Sequence, residues 1–290
     1  SRYYADLMLR ELRKVIPSFL ERVDREDRGV VWSEYLQETR EDTADVVAAL
    51  FPEGSIVDPS PTVRLVDFDP EGEVKMIASM MYPHSTMSED QLERRVAGMN
   101  HEDRMAVARA YVGDRRNRRH KPGRALERPF YRFDVLVDYG AFRDLQRHRM
   151  LSMDWQNLSP HHGYISSPLV NAAGMGAVYE EAMERSAALY DLLVDDFPDQ
   201  ASYAINLAYK IRFNMNINAR SAMHLIELRT TPQGHPSYRE VGQEMHRLIA
   251  EEAGHTVISE MMKFVDHTDE TDLERLQSER RAQEKRQSTK

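Results

Sequence analysis

The sequence predicts an α+β domain in which one or two strands accompany many helices. Most of the chain repeats apolar residues at the spacing of an amphipathic helix, whereas residues 63–68 and 131–137 are typical of strands. In the second of these segments apolar and polar residues alternate from Tyr131 to Val137, with only Leu136 off the pattern. With 290 residues, 41% of them hydrophobic, the chain is long enough to bury a core.

Residues 1–61 are predicted to form a helical N-terminal segment and a linker. The apolar residues between positions 4 and 23 fall on roughly one side of a helix, and a second helix is predicted from Ser33, as its N-cap, to Leu50. Several prolines and a glycine follow, so residues 51–61 are predicted to be a linker.

An ungapped alignment places residues 7–24 over residues 249–266. Identical residues meet at four positions, from Val15 over Val257 to Asp24 over Asp266. Two amphipathic helices of equal period would match comparably, so a shared pattern is one interpretation. The other is that residues 1–61 are the tail of a preceding copy of the same domain.

Residues 62–266 are predicted to form the main domain, and residues 267–290 a charged tail. The domain begins with the strand 63–68, followed by helices over 73–82, 88–98 and 101–112, a basic loop at 115–121, the strand 131–137 and a helix from Tyr139. After a loop at 159–168, helices are predicted over 171–194, 201–229 and 236–265.

Composition excludes several kinds of site. The absence of cysteine excludes disulfides, thiolate metal sites and a cysteine nucleophile. The chain has 39 Lys and Arg against 48 Asp and Glu, a net charge of −9, which argues against a broad nucleic-acid-binding surface. No run of about 18 apolar residues and no secretory signal is recognised, so a cytoplasmic location without a membrane partner is expected.

The densest cluster of cationic side chains is Arg147-His148-Arg149. Arginine forks match phosphate geometry, so the cluster suits a nucleotide or dinucleotide cofactor. The alternative is that these residues only oppose the dipole at a helix C-terminus. The basic loop 115–121 is likewise either a solvated surface, a phosphate-binding lid or a short nucleic-acid contact.

A second cluster lies on the helix predicted to end at Arg229. Asn218, Ala222, Leu225 and Arg229 fall along one stripe that could line a pocket. Arg220 and His224 are spaced as an i, i+4 pair on another side of the helix. His224 and Glu227 have a spacing that could ligate a metal, but an ordinary pair on the helix surface is favoured, and no metal is expected.

These two clusters, in this order and about 70 residues apart, resemble the signatures of the flavin-dependent thymidylate synthase family. The resemblance covers about Val63 to Val265. It comprises the strand 63–68, a segment from His120 to Glu127 before an aromatic strand, the stretch from Phe142 to Arg149, and the late helix from Asn218 to Arg229.

The resemblance implies an α+β fold of the thymidylate synthase-complementing type, with a small, mostly antiparallel sheet packed by several helices, in a homotetramer or pseudo-tetramer. It implies methylation of dUMP to dTMP with FAD as cofactor and with NADPH and methylenetetrahydrofolate as co-substrates. By resemblance, the residues that hold FAD are Glu127, Arg147, His148, Arg149, Asn218, Arg220 and His224. Those that bind the substrate are Arg143, Asp144, Asn157, Ser159 and Arg229, of which Arg229 is the catalytic residue.

The sequence departs from the family pattern after Arg149. Where the family has Ser-Gly-Arg-Tyr, this chain has Ser159-Pro160-His161-His162, so the arginine that holds the dUMP phosphate is missing. A second family arginine falls near Ser202. Arg212, Lys210 or the basic loop could substitute for them. The flavin half of the site is therefore better kept than the nucleotide half.

Three hypotheses follow. The first is an active flavin-dependent thymidylate synthase or close relative. The second is a non-catalytic or altered-specificity member that keeps the fold and FAD as the structural half of a tandem assembly. The third is a nucleic-acid-binding module that uses the basic loop, against which the acidic composition and the lack of interleaved aromatic residues argue.

Overall fold

The computed structural model describes residues 2–23, 25–51 and 60–268, and in the tail residues 276, 278–280, 283, 284 and 287. The chain divides into two compact units, Ser1–Pro59 and Ser60–Lys290. The predicted linker falls largely on residues 52–59, which lie outside the described residues, and so does the larger part of the predicted tail.

The described part of the first unit is helical, with α1 (Arg2–Val15), α2 (Pro17–Leu20) and α3 (Val30–Leu50). The single helix predicted over residues 4–23 is interrupted because Pro17 has no N–H to continue the hydrogen-bond ladder of α1. Helix α3 begins before the predicted cap Ser33, after Gly29 at φ 72°. Glycine adopts this left-handed conformation without the steric cost of a side chain.

The second unit contains a four-stranded sheet in the order β1-β2-β4-β3, with every pair antiparallel. The strands are β1 (Val63–Phe68), β2 (Phe130–Asp138), β3 (Ser152–Trp155) and β4 (Lys210–Asn218). This sheet, surrounded by helices, confirms the predicted α+β class.

Strand β4 corrects the helix predicted over residues 201–229. Within that range the α-helical residues are Ala201, which ends a short preceding helix, and residues 219–229. Along β4 the side chains alternate between buried and half-buried, with Ile211, Phe213, Met215 and Ile217 buried. This is the period of two that a pleated strand requires. The short strand β3 was also not predicted, so the sheet has more strands than the one or two expected.

The helices of the second unit agree with the remaining predictions more closely. They are α4 (Gly72–Met81), α5 (Glu89–Ala97), α6 (His101–Val112), α7 (Tyr139–Leu145), α8 (Pro168–Ala172), α9 (Gly176–Leu193), α10 (Pro198–Ala201), α11 (Ala219–Arg229), α12 (Pro236–Glu251) and α13 (Thr256–Glu260). Short 3₁₀ turns occupy Tyr82–His84, Arg124–Glu127 and Ser202–Ala204. The helix predicted over residues 236–265 is broken near Gly254, which has φ 68°.

The main core lies between the sheet and helices α4, α11 and α12. Tyr131 and Phe133 on β2, and Met215 on β4, are fully buried in it with Ile77 of α4. Each such side chain contributes about 1.5–3 kcal/mol relative to an exposed position. A smaller core joins α9 and α10 to the residues before β4.

Strand register brings three chain segments to one end of the sheet. Phe130, at the start of β2, pairs with Asn218 at the end of β4, and Ser152, at the start of β3, pairs with Asn216. The turn before β2, the Arg147–Arg149 segment before β3 and the N-terminus of α11 after β4 therefore meet. The two strands that sequence analysis missed are those that position the predicted site.

Candidate functional site

A cavity of about 470 Å³ lies at this end of the sheet. The volume is in the range of small-molecule and cofactor sites. All seven residues predicted to hold the cofactor line it, together with Arg229: Glu127, Arg147, His148, Arg149, Asn218, Arg220, His224 and Arg229. Residues from distant parts of the sequence are thus brought to one place.

The N-terminus of α11 is fixed by Asn218. Its Oδ1 accepts a hydrogen bond from the backbone N–H of Ser221 at 2.9 Å, so Asn218 is the N-cap of the helix. Strand β4 ends and α11 begins at this residue, which aims the first turn of the helix at the cavity.

Arg220 is held by the turn that precedes β2. Its Nη1 donates to Glu127 Oε1 at 2.9 Å, and its Nε donates to the carbonyl oxygen of Pro122 at 2.9 Å. Arg124 Nε also donates to Glu127, at 3.3 Å. Arg220 is therefore fixed by this turn, and the hydrogen bonds of its guanidinium do not go to His224, its expected i, i+4 partner.

Arg229 lies in the cavity wall with its guanidinium engaged on two sides. Nε donates to Nε2 of His148 at 3.0 Å, and Nη2 donates to the carbonyl oxygen of Asp144 at 2.5 Å. The carboxylate of Asp144 is 3.4 Å from Nη1, and the Tyr238 ring centre is 5.3 Å from Cζ. The side chain keeps 13% exposure, so its position is set by neighbours and a small part remains accessible.

The pKa of His148 is lowered to about 4, first by burial and then by the nearby charge of Arg229, against a smaller opposing effect of Asp144. Burial also lowers the pKa of His224, with further lowering by Lys121 and Arg118. The two rings lie 5.7 Å apart. Both imidazoles are neutral at pH 7 and act there as hydrogen-bonding groups rather than as charges.

Glu227 corrects the prediction of a pair on the helix surface. Its carboxylate is fully buried and forms a bidentate ion pair with Arg115, with N–O distances of 2.6 and 2.5 Å. It is not on the same surface as His224. Among the described residues, no group of three or more side chains is arranged to hold a metal ion.

The predicted stripe on α11 also needs a correction. Asn218 and Arg229 line the cavity, but Ala222 and Leu225 between them are fully buried in the core. The stripe faces the core because α11 packs on the sheet and α12. The apolar lining of the cavity comes instead from Met150, Leu151, Ile217, Met223 and Leu228.

Cationic side chains dominate the lining. They are Arg115, Arg118, Lys121, Arg124, Arg147, Arg149, Arg220 and Arg229, and Glu127 is the acidic residue they surround. Within the described part of the chain, no hydrogen bond or ion pair engages the side chains of Arg118, Lys121 and Arg149. Unpaired cations around a cavity favour an anionic ligand.

The residues predicted to bind the substrate are not gathered in this cavity. Arg143 and Asn157 line a second cavity of about 720 Å³, which Ser202 also lines. Asp144 contacts Arg229, whereas Ser159 is buried and its Oγ accepts a hydrogen bond from the backbone N–H of His161. In a single chain, the predicted substrate residues are therefore distributed over separate places.

Arg212, which could have replaced a missing phosphate-binding arginine, is itself paired. Its Nη1 lies 3.2 Å from Asp134 Oδ1, and its side chain is only 16% exposed. The sequence did not distinguish Arg115 from the other cations of the basic loop, because its partner Glu227 lies 112 positions away. For Arg118 and Lys121, which line the cavity, the positive charge of the basic loop was the available signal in the sequence.

In the segments that the structure describes, no helix combines the length and apolarity needed to cross a membrane.

Comparison with known proteins identifies relatives of this chain. It is 38% identical over 97% of its length to the UPF0159 protein of Chlamydia pneumoniae and 37% identical over 94% to the UPF0159 protein of Chlamydia muridarum. The alignments cover 52% and 51% of those proteins, so the chain spans about half the length of the curated relatives it matches.

Among solved structures, a UMP/dUMP methylase from Streptomyces cacaoi, bound with 5-Br dUMP, has a similar fold. The TM-score is 0.51 at 18% identity, covering 69% of this chain and 94% of the methylase. The family model described as thymidylate synthase complementing protein matches residues 64–254. That match covers the sheet and the cavity residues, and the chain therefore belongs to the thymidylate synthase complementing protein family, the flavin-dependent thymidylate synthases that its motifs resemble.

Proposed function

We propose that the chain binds FAD and methylates a pyrimidine nucleotide, dUMP, to dTMP, with methylenetetrahydrofolate and NADPH as co-substrates. The observation that carries the proposal is that all seven expected cofactor residues and Arg229 line one cavity. The pyrimidine monophosphate class is also the one named for the methylase from Streptomyces cacaoi, whose fold is similar.

The cavity fits the chemistry of a flavin dinucleotide. Arg147 and Arg149 present cationic forks of the kind that match phosphate oxygens, and Met150, Leu151 and Leu228, which keep exposed surface, offer an apolar contact for a planar ring. When bound, FAD would supply hydride transfer, which no protein side chain supplies by itself. The residues of this chain bind and orient it.

Arg229 and His148 would act on the reacting end of the site. Arg229 is held rigidly by His148 and Asp144, so little side-chain order has to be gained when a ligand binds. Its fixed positive charge would stabilise negative charge that develops on a pyrimidine ring. His148, neutral and accepting from Arg229 through Nε2, keeps its Nδ1–H available as a donor.

We further propose self-association into a tetramer or pseudo-tetramer. The predicted substrate residues Arg143 and Asn157 line the second cavity, so one chain does not assemble the predicted set at a single place. Residues 1–61, proposed as the tail of a preceding copy, would make the longer relatives tandem assemblies.

The alternative is a member that keeps FAD and the fold but not dUMP methylation. It is favoured by His161 and Ser202, which stand where the family has phosphate-binding arginines, and by the pairing of Arg212 with Asp134. Two charge-assisted contacts at about 1.5–3 kcal/mol each would otherwise support nucleotide affinity.

The test is the double substitution Arg147→Ala and Arg149→Ala. Flavin affinity, followed by absorbance of the bound chromophore, should fall at least about 100-fold, because each lost contact is worth roughly tenfold or more. The control is Arg185→Ala on α9, an exposed arginine paired with Glu181 outside the cavity. Equal flavin retention in the double variant and in the control would remove the assignment.

The same preparation separates the two functions. Oxidation of NADPH that depends on both dUMP and methylenetetrahydrofolate supports the synthase. Stoichiometric flavin without dUMP affinity supports the structural alternative.

A further inference from the structure

The basic loop 115–121 is anchored by its first residue. The guanidinium of Arg115 is buried, with 2% exposure, and pairs with both carboxylate oxygens of Glu227 on α11, which has no exposed surface. A buried charge of this kind is tolerated only when it is paired and hydrogen-bonded. The pair therefore fixes where the loop begins relative to the cavity.

The remainder of the loop is folded around the same guanidinium. Arg115 Nε donates to the carbonyl oxygen of His120 at 2.8 Å, and Nη2 donates to the carbonyl oxygen of Arg118 at 3.3 Å. Arg115 Nη1 also lies 3.4 Å from the carbonyl oxygen of Met261, and its Cζ is 5.2 Å from the Phe264 ring centre. A basic loop that carries no regular secondary structure is thus fixed at both ends.

The loop cations divide into two groups. Arg118 and Lys121 line the cavity and, among the described residues, form no hydrogen bond or ion pair through their side chains. Arg116 and Arg119 are exposed and do not line it. The loop therefore directs two uncompensated positive charges at the cavity and two away from it.

We propose that residues 115–121 form a preorganised clamp for the phosphate groups of the nucleotide in this cavity, with Arg118 and Lys121 as its binding cations. Arg115 and Glu227 are its positioning residues. Neighbouring charges agree with this placement, since Lys121 and Arg118 both lower the pKa of His224 on α11. Because the loop is already ordered, binding costs little additional conformational entropy.

The clamp would offset the arginines missing at His161 and Ser202, positions that lie outside this cavity. Which nucleotide supplies the phosphate rests on the proposed function. The ligand chemistry, a phosphate monoester or diester, rests on the loop alone.

The test uses the full chain and compares Arg118→Gln/Lys121→Gln with Arg116→Gln/Arg119→Gln. Both variants remove two charges from one loop, but only the first removes charges that line the cavity. Calorimetric titrations with FAD, FMN, riboflavin, ADP and dUMP vary the phosphate and the ring separately. We expect the first variant to weaken phosphate-bearing ligands by about tenfold for each lost contact, more so at low salt, and to leave riboflavin unchanged.

Comparing the loss of affinity for FAD with that for dUMP shows which of the two phosphates the clamp holds. The affinity for ADP measures phosphate binding in the absence of a flavin ring. Equal losses in the two variants, or no loss for any phosphate-bearing ligand, overturn the clamp. If the affinity for ADP depends on Arg118 and Lys121 while FAD and dUMP do not bind, the clamp stands and the proposed function fails. If FAD affinity depends on Arg147 and Arg149 but no phosphate-bearing ligand depends on Arg118 and Lys121, the clamp fails and the proposed function stands.

The positioning role is tested by Glu227→Gln, which keeps the size of the side chain and removes its charge. We expect faster hydrogen exchange in residues 116–121 and weaker ADP binding although Arg118 and Lys121 are intact. Unchanged exchange and unchanged ADP affinity would overturn the positioning role. If this variant does not fold, the comparison of Arg118→Gln/Lys121→Gln with Arg116→Gln/Arg119→Gln still tests the clamp.

Discussion

The ring of His148 joins the two sequence signatures at the scale of single residues. Its Nε2 accepts the hydrogen bond from Arg229 Nε at 3.0 Å, so its own proton must lie on Nδ1. Burial is the larger cause of the lowered pKa, and the charge of Arg229 is the next. The residue is therefore both an acceptor for Arg229 and a neutral donor through Nδ1.

We predict that His148 is a neutral Nδ1–H tautomer at pH 7 and titrates near pH 4. Long-range proton–nitrogen NMR correlations distinguish the two tautomers and follow the titration. Arg229→Gln should raise the pKa of His148 but not restore 6.5, because burial remains. A ring protonated on Nε2, or a pKa at the ordinary value in the unsubstituted chain, would contradict the geometry.

The residues that line the cavity could be predicted from sequence, whereas the contacts that hold them in place could not. Arginines and asparagine in two signatures gave the set that lines the cavity, and the fold brings them together. The ion pair between Arg115 and Glu227 joins residues 112 positions apart, and no local periodicity encodes such a contact. Likewise, the hydrogen bond from Arg229 to the carbonyl oxygen of Asp144 depends on where the backbone of α7 ends.

At the scale of elements, the largest error was to extend a helix through residues 201–229. This stretch contains no proline or glycine that would mark the end of an element, and its last 11 residues do form a helix. Strict alternation from Lys210 to Asn218 was the available signal for β4, and it was outweighed by the helical pattern that follows. Strand β3, with four residues, is too short for alternation to be read.

Asn218 tests how strand, helix and cavity are linked. Asn218→Ala removes the N-cap of α11 and should lower the free energy of unfolding by about 1 kcal/mol, measured by urea denaturation. It should also weaken FAD binding, because the side chain lines the cavity. The matched control is Asn100→Ala, which removes the equivalent cap of α6, where Asn100 Oδ1 accepts from Asp103 N–H at 2.8 Å.

The control should lose similar stability without any change in FAD affinity. If both variants lose stability equally and neither loses FAD, Asn218 is a helix cap and nothing more.

At the scale of the whole molecule, net charge hides the property that matters. The chain carries a net charge of −9, yet the lining of the cavity has eight arginine and lysine residues against one glutamate. Composition argues against a broad basic surface but is silent on a local one, because it reports only the sum of charges. The local field depends on the fold, which gathers the cations of the loop 115–121, the Arg147–Arg149 segment and α11 in one place.

Stability of the whole molecule should depend on pH through its histidines. Burial is the largest cause of a lowered pKa at several of them: His148, His162, His224, His246 and His255. A histidine with a lowered folded pKa binds fewer protons in the folded state than in the unfolded chain. Its contribution is therefore present above pH 6.5 and is lost as the pH falls, for His148 down to about 4.

Carboxyl groups alter this expectation only slightly. The raised pKa of Glu73 acts in the opposite direction, since its folded state favours the protonated form. The lowered pKa values of Asp69 and Asp266 contribute stability that is lost only in more acidic solution, below their ordinary value of 3.8. Five histidines against one glutamate leave a net loss of stability on acidification.

We therefore predict that the urea midpoint of the full chain falls steadily between pH 7.5 and 5.5, because the unfolded state takes up more protons than the folded state. His148→Gln should flatten this dependence, since glutamine does not titrate and one of the buried bases is removed. The control is Arg185→Ala, which changes an exposed charge without altering a buried base. A midpoint that rises on acidification would mean that the histidines are protonated in the folded protein. It would contradict the assignment of His148 and His224 as neutral hydrogen-bonding groups beside Arg229.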